Sequence, residues 1–299
     1  MGNSHTPTRN VLEINSLSKD FKTFSLKQIS FNVPQGYIMG FIGPNGAGKS
    51  TTIKLIMNLL KKNAGDIKVF GLDHLESEKE IKDRIGFVFD ENYYYEELTI
   101  AAMVKIIAPF YSRWDQAAFD KHLRAFGMSP KIKIKELSKG MKMKFSLAVA
   151  LSHHADLLIM DEPTGGLDPI VRAELLEILS DLIQDEAKSV FFSTHITSDL
   201  DKIADYITFI HEGEIVFTAV KDDILEQYGV VKGDKKLLDR ETEKLFVGLT
   251  TNQFGFEGLV RDKTLARRTF KDQALVEKPT LEDIMLYTVR REKHVYAHS

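Results

Sequence analysis

The stretch GPNGAGKST, Gly43 to Thr51, constrains this chain more than any other. It fits G-x-x-x-x-G-K-[ST] in full. An apolar run of strand length, GYIMGFI at 36–42, leads into it, and a helical pattern, KSTTIKLIMNLL at 49–60, leads out. Strand, glycine-rich loop and helix in direct succession are the context in which this motif holds a polyphosphate. Glycines let backbone N–H groups turn inward, Lys49 adds a point charge for the β and γ oxygens, and the Ser50 hydroxyl can ligate Mg²⁺. Asn45, Gly46, Ala47, Gly48 and Thr51 complete the expected phosphate-binding set.

Such a loop needs a sheet behind it, and the rest of the chain supplies one. VLEINSLS and ISFNV read as half-buried strands, IGFVF at 85–89 as another, and residues 90 to 155 as mostly helical, with helices over roughly 98–127. DLLIMD at 156–161 is a buried-strand run, PIVRAELLEILSDLIQD a helix, KSVFFST a strand, and SDLDKIADYITFI a helix leading into a strand. This alternation predicts a largely parallel α/β sheet interrupted by a helical insertion. Beyond about residue 222, KGDKKLLDRETEK reads as a charged linker. LFVGLT, FGFEGLV, QALVEK and a final helix near 280–291 read as a small α/β appendage.

Two further signals bear chemistry. The apolar run LLIM delivers Asp161 and Glu162 to a strand end, where one carboxylate can hold Mg²⁺ and the next can polarise an attacking water. FFSTH places His195 just beyond another strand. In open parallel sheets, ligand sites gather at the carboxyl ends of strands, so His195 is placed to meet a γ-phosphate or its water. His153 and His154 lack that placement and read as helix-end residues.

Composition removes other classes. The 299 residues carry no cysteine, hence no disulfide framework, thiolate metal site or cysteine nucleophile. A formal net charge of -3 gives no overall electrostatic reason to expect a nucleic-acid partner. The polar opening MGNSHTPTRN lacks the apolar core of a secretory signal, and no run of about 18 apolar residues is present to span a bilayer.

In order and spacing, the phosphate loop, LIMDEP, GGLDP at 165–169 and STH at 193–195 resemble the nucleotide-binding subunits of ABC transporters, over about residues 10–220. The resemblance implies a P-loop NTPase with a RecA-like core, an antiparallel β subdomain and a helical subdomain near 90–155. The ATPase domain would span 10–222, and 223–299 would be an appendage with a dimerisation or regulatory role. It implies ATP and Mg²⁺ as cofactors, Ser50 and Asp161 as metal ligands, Glu162 and His195 as catalytic residues, and Phe21 as the aromatic that stacks on adenine. LSKGM at 137–141 takes the place of the family's signature, L-S-G-G-Q. Ser138 and Gly140 would face ATP bound by a second chain, with Asp168 reaching across the same dimer.

Three departures stand out. Lys139 replaces a glycine, Met141 a glutamine, and Asp90 stands where the family's Q-loop glutamine is expected, still able to approach Mg²⁺. The lysines at 131, 133, 135, 139, 142 and 144 read as a solvated face. Tyr93, Tyr94 and Tyr95 suit either a protein contact or a core.

One phosphate loop implies half of a machine, hence a homodimer or heterodimer of ATPase subunits attached to separate transmembrane permease subunits at the cytoplasmic face of the membrane. FVFDEN, YYYEELT, LSKGMKMK and EKPTLEDIMLYTV resemble Gram-positive exporters related to the bacitracin and phenol-soluble-modulin types, which implies an amphipathic or antimicrobial peptide as cargo. The competing readings are a small-drug or antibiotic exporter, a soluble ABC ATPase acting on nucleic acid or ribosomes, and a non-hydrolysing ATP-binding regulator; the last is opposed by Glu162.

Overall fold

Alternating apolar residues build the first sheet. In β1 (Asn10–Asp20), Leu12, Ile14 and Leu17 are buried; in β2 (Ser25–Pro34), Leu26, Ile29, Phe31 and Val33 are. β3 (Ile38–Ile42) is buried along its whole length and feeds α1 (Lys49–Ile56). There follow β4 (Ala64–Val69), β5 (Leu72–Asp73), α2 (Glu78–Arg84), β6 (Ile85–Val88), α3 (Ile100–Ile107), α4 (Gln116–Ala125) and α5 (Lys139–Ser152). Then come β7 (Leu157–Asp161), α6 (Pro169–Leu182), β8 (Ser189–Thr194), α7 (Thr197–Ile203), β9 (Tyr206–His211) and β10 (Glu214–Val220). The computed structural model describes residues 9–89 and 94–296, with side chains to residue 289. It divides into two units, Met1–Thr218 and Ala219–Ser299.

The first unit holds two sheets. One has the order β2-β1-β4-β5, with antiparallel pairings. The other has the order β10-β9-β3-β8-β7-β6, and β9, β3, β8, β7 and β6 run parallel. Phe31 on β2, Phe41 on β3 and Phe191 on β8 join the sheets, with ring centroids 5.3 to 5.7 Å apart. α3, α4 and α5 surround a separate core that includes Met103, Phe119, Ile134 and Phe145. α1 stops at Ile56, four residues before the apolar pattern ends, because Asn58 takes a left-handed φ of 54°.

At the amino ends of β7 and β8, away from the phosphate loop, Asp156 gathers three cations. Arg84 Nε lies 2.8 Å away, Arg113 Nη2 3.2 Å and Lys188 Nζ 3.5 Å. Burial pushes this carboxyl upward, but hydrogen bonds from Arg84 and Arg113 and the charges of Arg113 and Lys188 outweigh it and hold it below the ordinary range. The pairing therefore stabilises the fold at pH values above about 4, the unfolded carboxyl's range, and loses that contribution as pH falls through the lower folded value. Asp156→Ala is expected to cost about 2 kcal/mol at neutral pH. In denaturant titrations, the gap between variant and parent should shrink below about pH 4; a gap independent of pH would refute the ion-pair account.

His153 caps the C-terminus of α5, fully buried with its ring stacked on Tyr111 at 3.8 Å. Burial, reinforced by the Arg113 charge, lowers its pKa to about 4. It is therefore a neutral packing group, in keeping with a helix-end reading. Tyr94 packs edge-on against Phe145 with its hydroxyl 3.2 Å from Ser146, whereas Tyr95 is exposed. Tyr93 lies outside the described residues.

The second unit comprises α8 (Lys221–Gln227), β11 (Gly229–Gly233), β12 (Phe246–Asn252), β13 (Gly255–Val260), α9 (Lys263–Phe270), β14 (Ala274–Glu277) and α10 (Leu281–Tyr296). Its sheet has the order β12-β13-β11-β14, with antiparallel pairings. The segment that reads as a charged linker belongs to this unit instead. Lys232 and Gly233 lie on β11, and Leu237 and Leu238 pack on the cluster around Val231 and Phe256.

Candidate active site

Registration between strands sets the site. Ile42 pairs with Thr194, and Asp161 with Ser193, so β3, β8 and β7 end side by side. The loop after β3, the carboxylates at the end of β7 and His195 after β8 are thereby brought to one carboxyl edge. The loop, Glu162 and His195 line a cleft of about 800 Å³ that also takes in Thr23, Phe24, Lys139, Gly165 and Gly166.

The loop keeps its shape through glycine. Gly48, at φ 114°, opens α1; a Cβ there would sit 3.0 Å from the Phe24 ring, so conformation and space both require glycine. Asn45, Gly46, Gly48, Lys49, Ser50 and Thr51 face the cleft. Ala47 is buried, with its N–H donating to the Pro44 carbonyl at 3.2 Å.

Lys49 is only 5% exposed. Its ammonium donates to the Gly43 carbonyl at 2.7 Å and the Pro44 carbonyl at 3.2 Å, and lies 3.1 Å from Glu162 Oε1. The other oxygen of Glu162 meets His195 Nδ1 at 2.8 Å and accepts from the His195 backbone N–H at 3.3 Å. Glu162 sits at φ 49°, a left-handed conformation that costs a non-glycine residue about 1–3 kcal/mol. Ser193 offsets this, since its carbonyl and its hydroxyl each accept from the Glu162 N–H at 3.1 Å. The same hydroxyl donates to Asp161 Oδ1 at 2.6 Å.

Ser50 Oγ donates to that Asp161 oxygen at 3.1 Å. A hydroxyl and a buried carboxylate side by side are two hard oxygen donors, which suits Mg²⁺, an ion that completes its shell with waters and phosphate oxygens. The two carboxylates thus differ by environment. Asp161 is engaged by hydroxyls, and Glu162 by a cation and an imidazole.

Other predicted residues lie apart from this centre. Ser138 caps α5, its hydroxyl accepting from the Met141 N–H at 3.2 Å. Gly140 packs against α6, where a Cβ would stand 3.0 Å from Val171 Cγ1. The glycine therefore has a packing reason of its own, besides any close approach of a phosphate. Asp168 caps α6 by accepting from the Ile170 and Val171 N–H groups at 3.0 and 3.1 Å. Phe21 is 43% exposed and does not line the cleft; Phe24, tilted against it with centroids 6.4 Å apart, does. Asp90 lies outside the described residues.

The lysines near 138 form an ion-paired surface. Lys133 and Lys135 meet Glu97, Lys142 meets Glu96, and Lys144 meets Glu174. Ser193 and Phe24 escape a sequence reading. Ser193 is legible only as the first residue of STH at the end of a buried strand, with no role of its own.

A family model described as ABC transporter matches residues 26–165. The bacitracin transport ATP-binding protein BcrA of Bacillus licheniformis is 37% identical over 194 residues, 64% of this chain and 63% of that protein. The lantibiotic transport ATP-binding protein SrtF of Streptococcus pyogenes is 34% identical over 208 residues, covering 69% of this chain and 89% of that protein. Among solved structures, the ATP-binding subunit of an ABC transporter superposes with a TM-score of 0.65 at 29% identity, covering 73% of this chain and 92% of that one. A complete phosphate loop, paired carboxylates and a histidine on three adjacent strand ends, together with these relatives, place the chain in the ABC transporter family as an ATP-binding ATPase.

Proposed function

We propose that this chain is the motor subunit of an exporter, coupling ATP hydrolysis to movement of an amphipathic or antimicrobial peptide through separate transmembrane subunits. The observation that carries the motor reading is the position of Glu162, held between Lys49 and His195 beside the phosphate loop. The names of the bacitracin and lantibiotic relatives support the cargo class.

The residues divide the work. Backbone N–H groups of 45–51 and the Lys49 ammonium bind the phosphates. As the phosphates take up Lys49, Glu162 Oε1 becomes available to accept a proton from the attacking water. His195, fixed by its bond to Glu162, orients that carboxylate and meets the terminal phosphate. Ser50 and Asp161 would hold Mg²⁺, which when bound would supply positive charge to neutralise the phosphates. Phe24, which lines the cleft against Gly48, is the aromatic placed to meet the base, in place of Phe21.

No helix among the described residues is long and apolar enough to cross a membrane. The proposed route across is provided by other chains, with this one docked at the cytoplasmic face and no nucleic acid involved, as the names of the transport relatives support. Ser138 and Lys139 are exposed on the turn that opens α5, as a contact with a second ATPase subunit requires. Ser138, Gly140 and Asp168 serve that dimer, and the second unit contributes to holding or regulating it.

The test is affinity purification of the tagged full chain from detergent-solubilised membranes of its native cell. A polytopic membrane protein is expected to co-purify, and deletion of that partner should sensitise the cell to amphipathic peptides. Recovery with ribosomes or nucleic acid instead, and no membrane partner, would favour the soluble rival.

A further inference from the structure

The segment that carries His195 is held at both ends, and only one of its anchors belongs to the site described above. At its start, the Ile196 N–H donates to the Thr194 hydroxyl at 3.0 Å, tying the segment to the end of β8. At its far end, Asp199 lies in the first turn of α7, with its N–H donating to the Ile196 carbonyl at 3.2 Å. The Asp199 side chain is fully buried, and its Oδ1 accepts from Arg172 Nε at 2.6 Å. Arg172 Nη2 also donates to the Ser198 hydroxyl at 2.7 Å. The guanidinium thus grips two successive residues at the start of α7.

Local preference does not explain this arginine. It stands four residues after Asp168, the cap of α6, with its N–H donating to the Asp168 carbonyl at 3.0 Å. A cation so near a helix N-terminus gains nothing from the helix dipole. Stability alone is a weak reason too, because the cost of burying a carboxylate offsets much of what one cation returns. Asp199 Oδ2 is buried with no hydrogen-bond partner among the described residues, so the carboxylate is compensated on one side only. What the pair supplies is direction. A planar fork fixes distance and angle between α6, anchored by buried Leu175, Leu176 and Leu179, and the segment that begins at His195. Four residues before Asp199, His195 Nδ1 meets Glu162 Oε2 at 2.8 Å.

We infer that Arg172 is a positioning residue for hydrolysis: through Asp199 and Ser198 it sets His195, and with it the Glu162 carboxylate, against the terminal phosphate. Arg172 is not among the residues that line the cleft, so its effect passes through the segment it grips. The inference rests on the reading above in which Glu162 and His195 serve ATP hydrolysis.

The experiment measures single-turnover hydrolysis and calorimetric binding of Mg-ATP on the full chain. Arg172→Met is expected to slow hydrolysis about ten- to a hundredfold, the scale of a small misplacement of a reacting group, with ATP affinity within about twofold of the parent. Arg172→Lys should recover part of the rate. The decisive readout is a double-mutant cycle with His195→Ala, in which Arg172→Met adds no further loss once the histidine is gone. A merely structural bridge gives the same fractional loss in both backgrounds, or lowers ATP affinity and rate together; either result, or an unchanged rate, overturns the inference. Where Arg172→Met does not fold, Ser198→Ala carries the same cycle, since Ser198 is exposed and Asp199 keeps its cation. A loss of about three- to tenfold, the scale of one hydrogen bond, is then expected only in chains that retain His195, and no loss overturns the inference. Glu162→Gln tells the two levels apart. Hydrolysis at the parent rate there withdraws the reading and this inference with it, whereas a slow Glu162→Gln beside an unaffected Arg172→Met withdraws the inference alone.

Discussion

Glu162→Gln is expected to reduce steady-state phosphate release by a factor of about 10²–10⁴ while leaving ATP affinity within a few-fold of the parent. Gln keeps the shape and the capacity to accept from the His195 backbone N–H, but it cannot take a proton from water. It also removes the carboxylate that pairs with Lys49 at 3.1 Å. The ammonium then has less to give up when phosphates arrive, so binding has no reason to fail. Single-turnover hydrolysis with labelled ATP separates the two quantities. An unchanged rate would assign the proton transfer elsewhere and withdraw Glu162 from its role.

Phe191→Ala is expected to lower the stability of the first unit by about 3–5 kcal/mol. Its ring is fully buried and contacts both Phe31 and Phe41, so truncation opens a cavity between the two sheets. In a domain of this size, that loss lowers the melting temperature by roughly 6–20 °C. β8 carries Phe191, and two residues later Ser193, which holds both Asp161 and the Glu162 backbone. Nucleotide should therefore protect the variant more than the parent in calorimetric melts, since binding opposes the loosening of the strands that form its site. A melting shift under about 2 °C would mean the cavity is filled by neighbours and the cost is misjudged.

Much of this site can be read without coordinates, because its parts are short and local. The phosphate loop needs nine consecutive residues, and the LLIM and VFFST runs are apolar enough to be buried strands wherever they fall. The relations between those parts are not local. Ser193 and Asp161 are 32 residues apart in sequence, and nothing in either neighbourhood announces the bond. The strand order β10-β9-β3-β8-β7-β6 depends on crossovers that periodicity does not record. Phe21 and Phe24 look alike in sequence, and only the turn between β1 and β2 decides which one lines the cleft.

In the second unit, β11 and α9 escape detection for another reason. β11 is a five-residue strand merging into a charged segment. α9 carries Arg267, Arg268 and Lys263 around only two buried side chains, Ala266 and Phe270. The burial that stabilises them comes from distant partners, as tertiary packing overrides weak local patterns.

The contact between Gly140 and Val171 is defined by an atom that is not there. It sets a clearance between the turn that opens α5 and the helix capped by Asp168. On either side of that glycine, Lys139 leans over Gly166 and Met141 packs into the helical core, and neither occupies the gap. Spacing and charge at this turn are thus independently variable. A descendant chain can change the charge at this turn through residue 139 alone, without altering the clearance that Gly140 sets against α6.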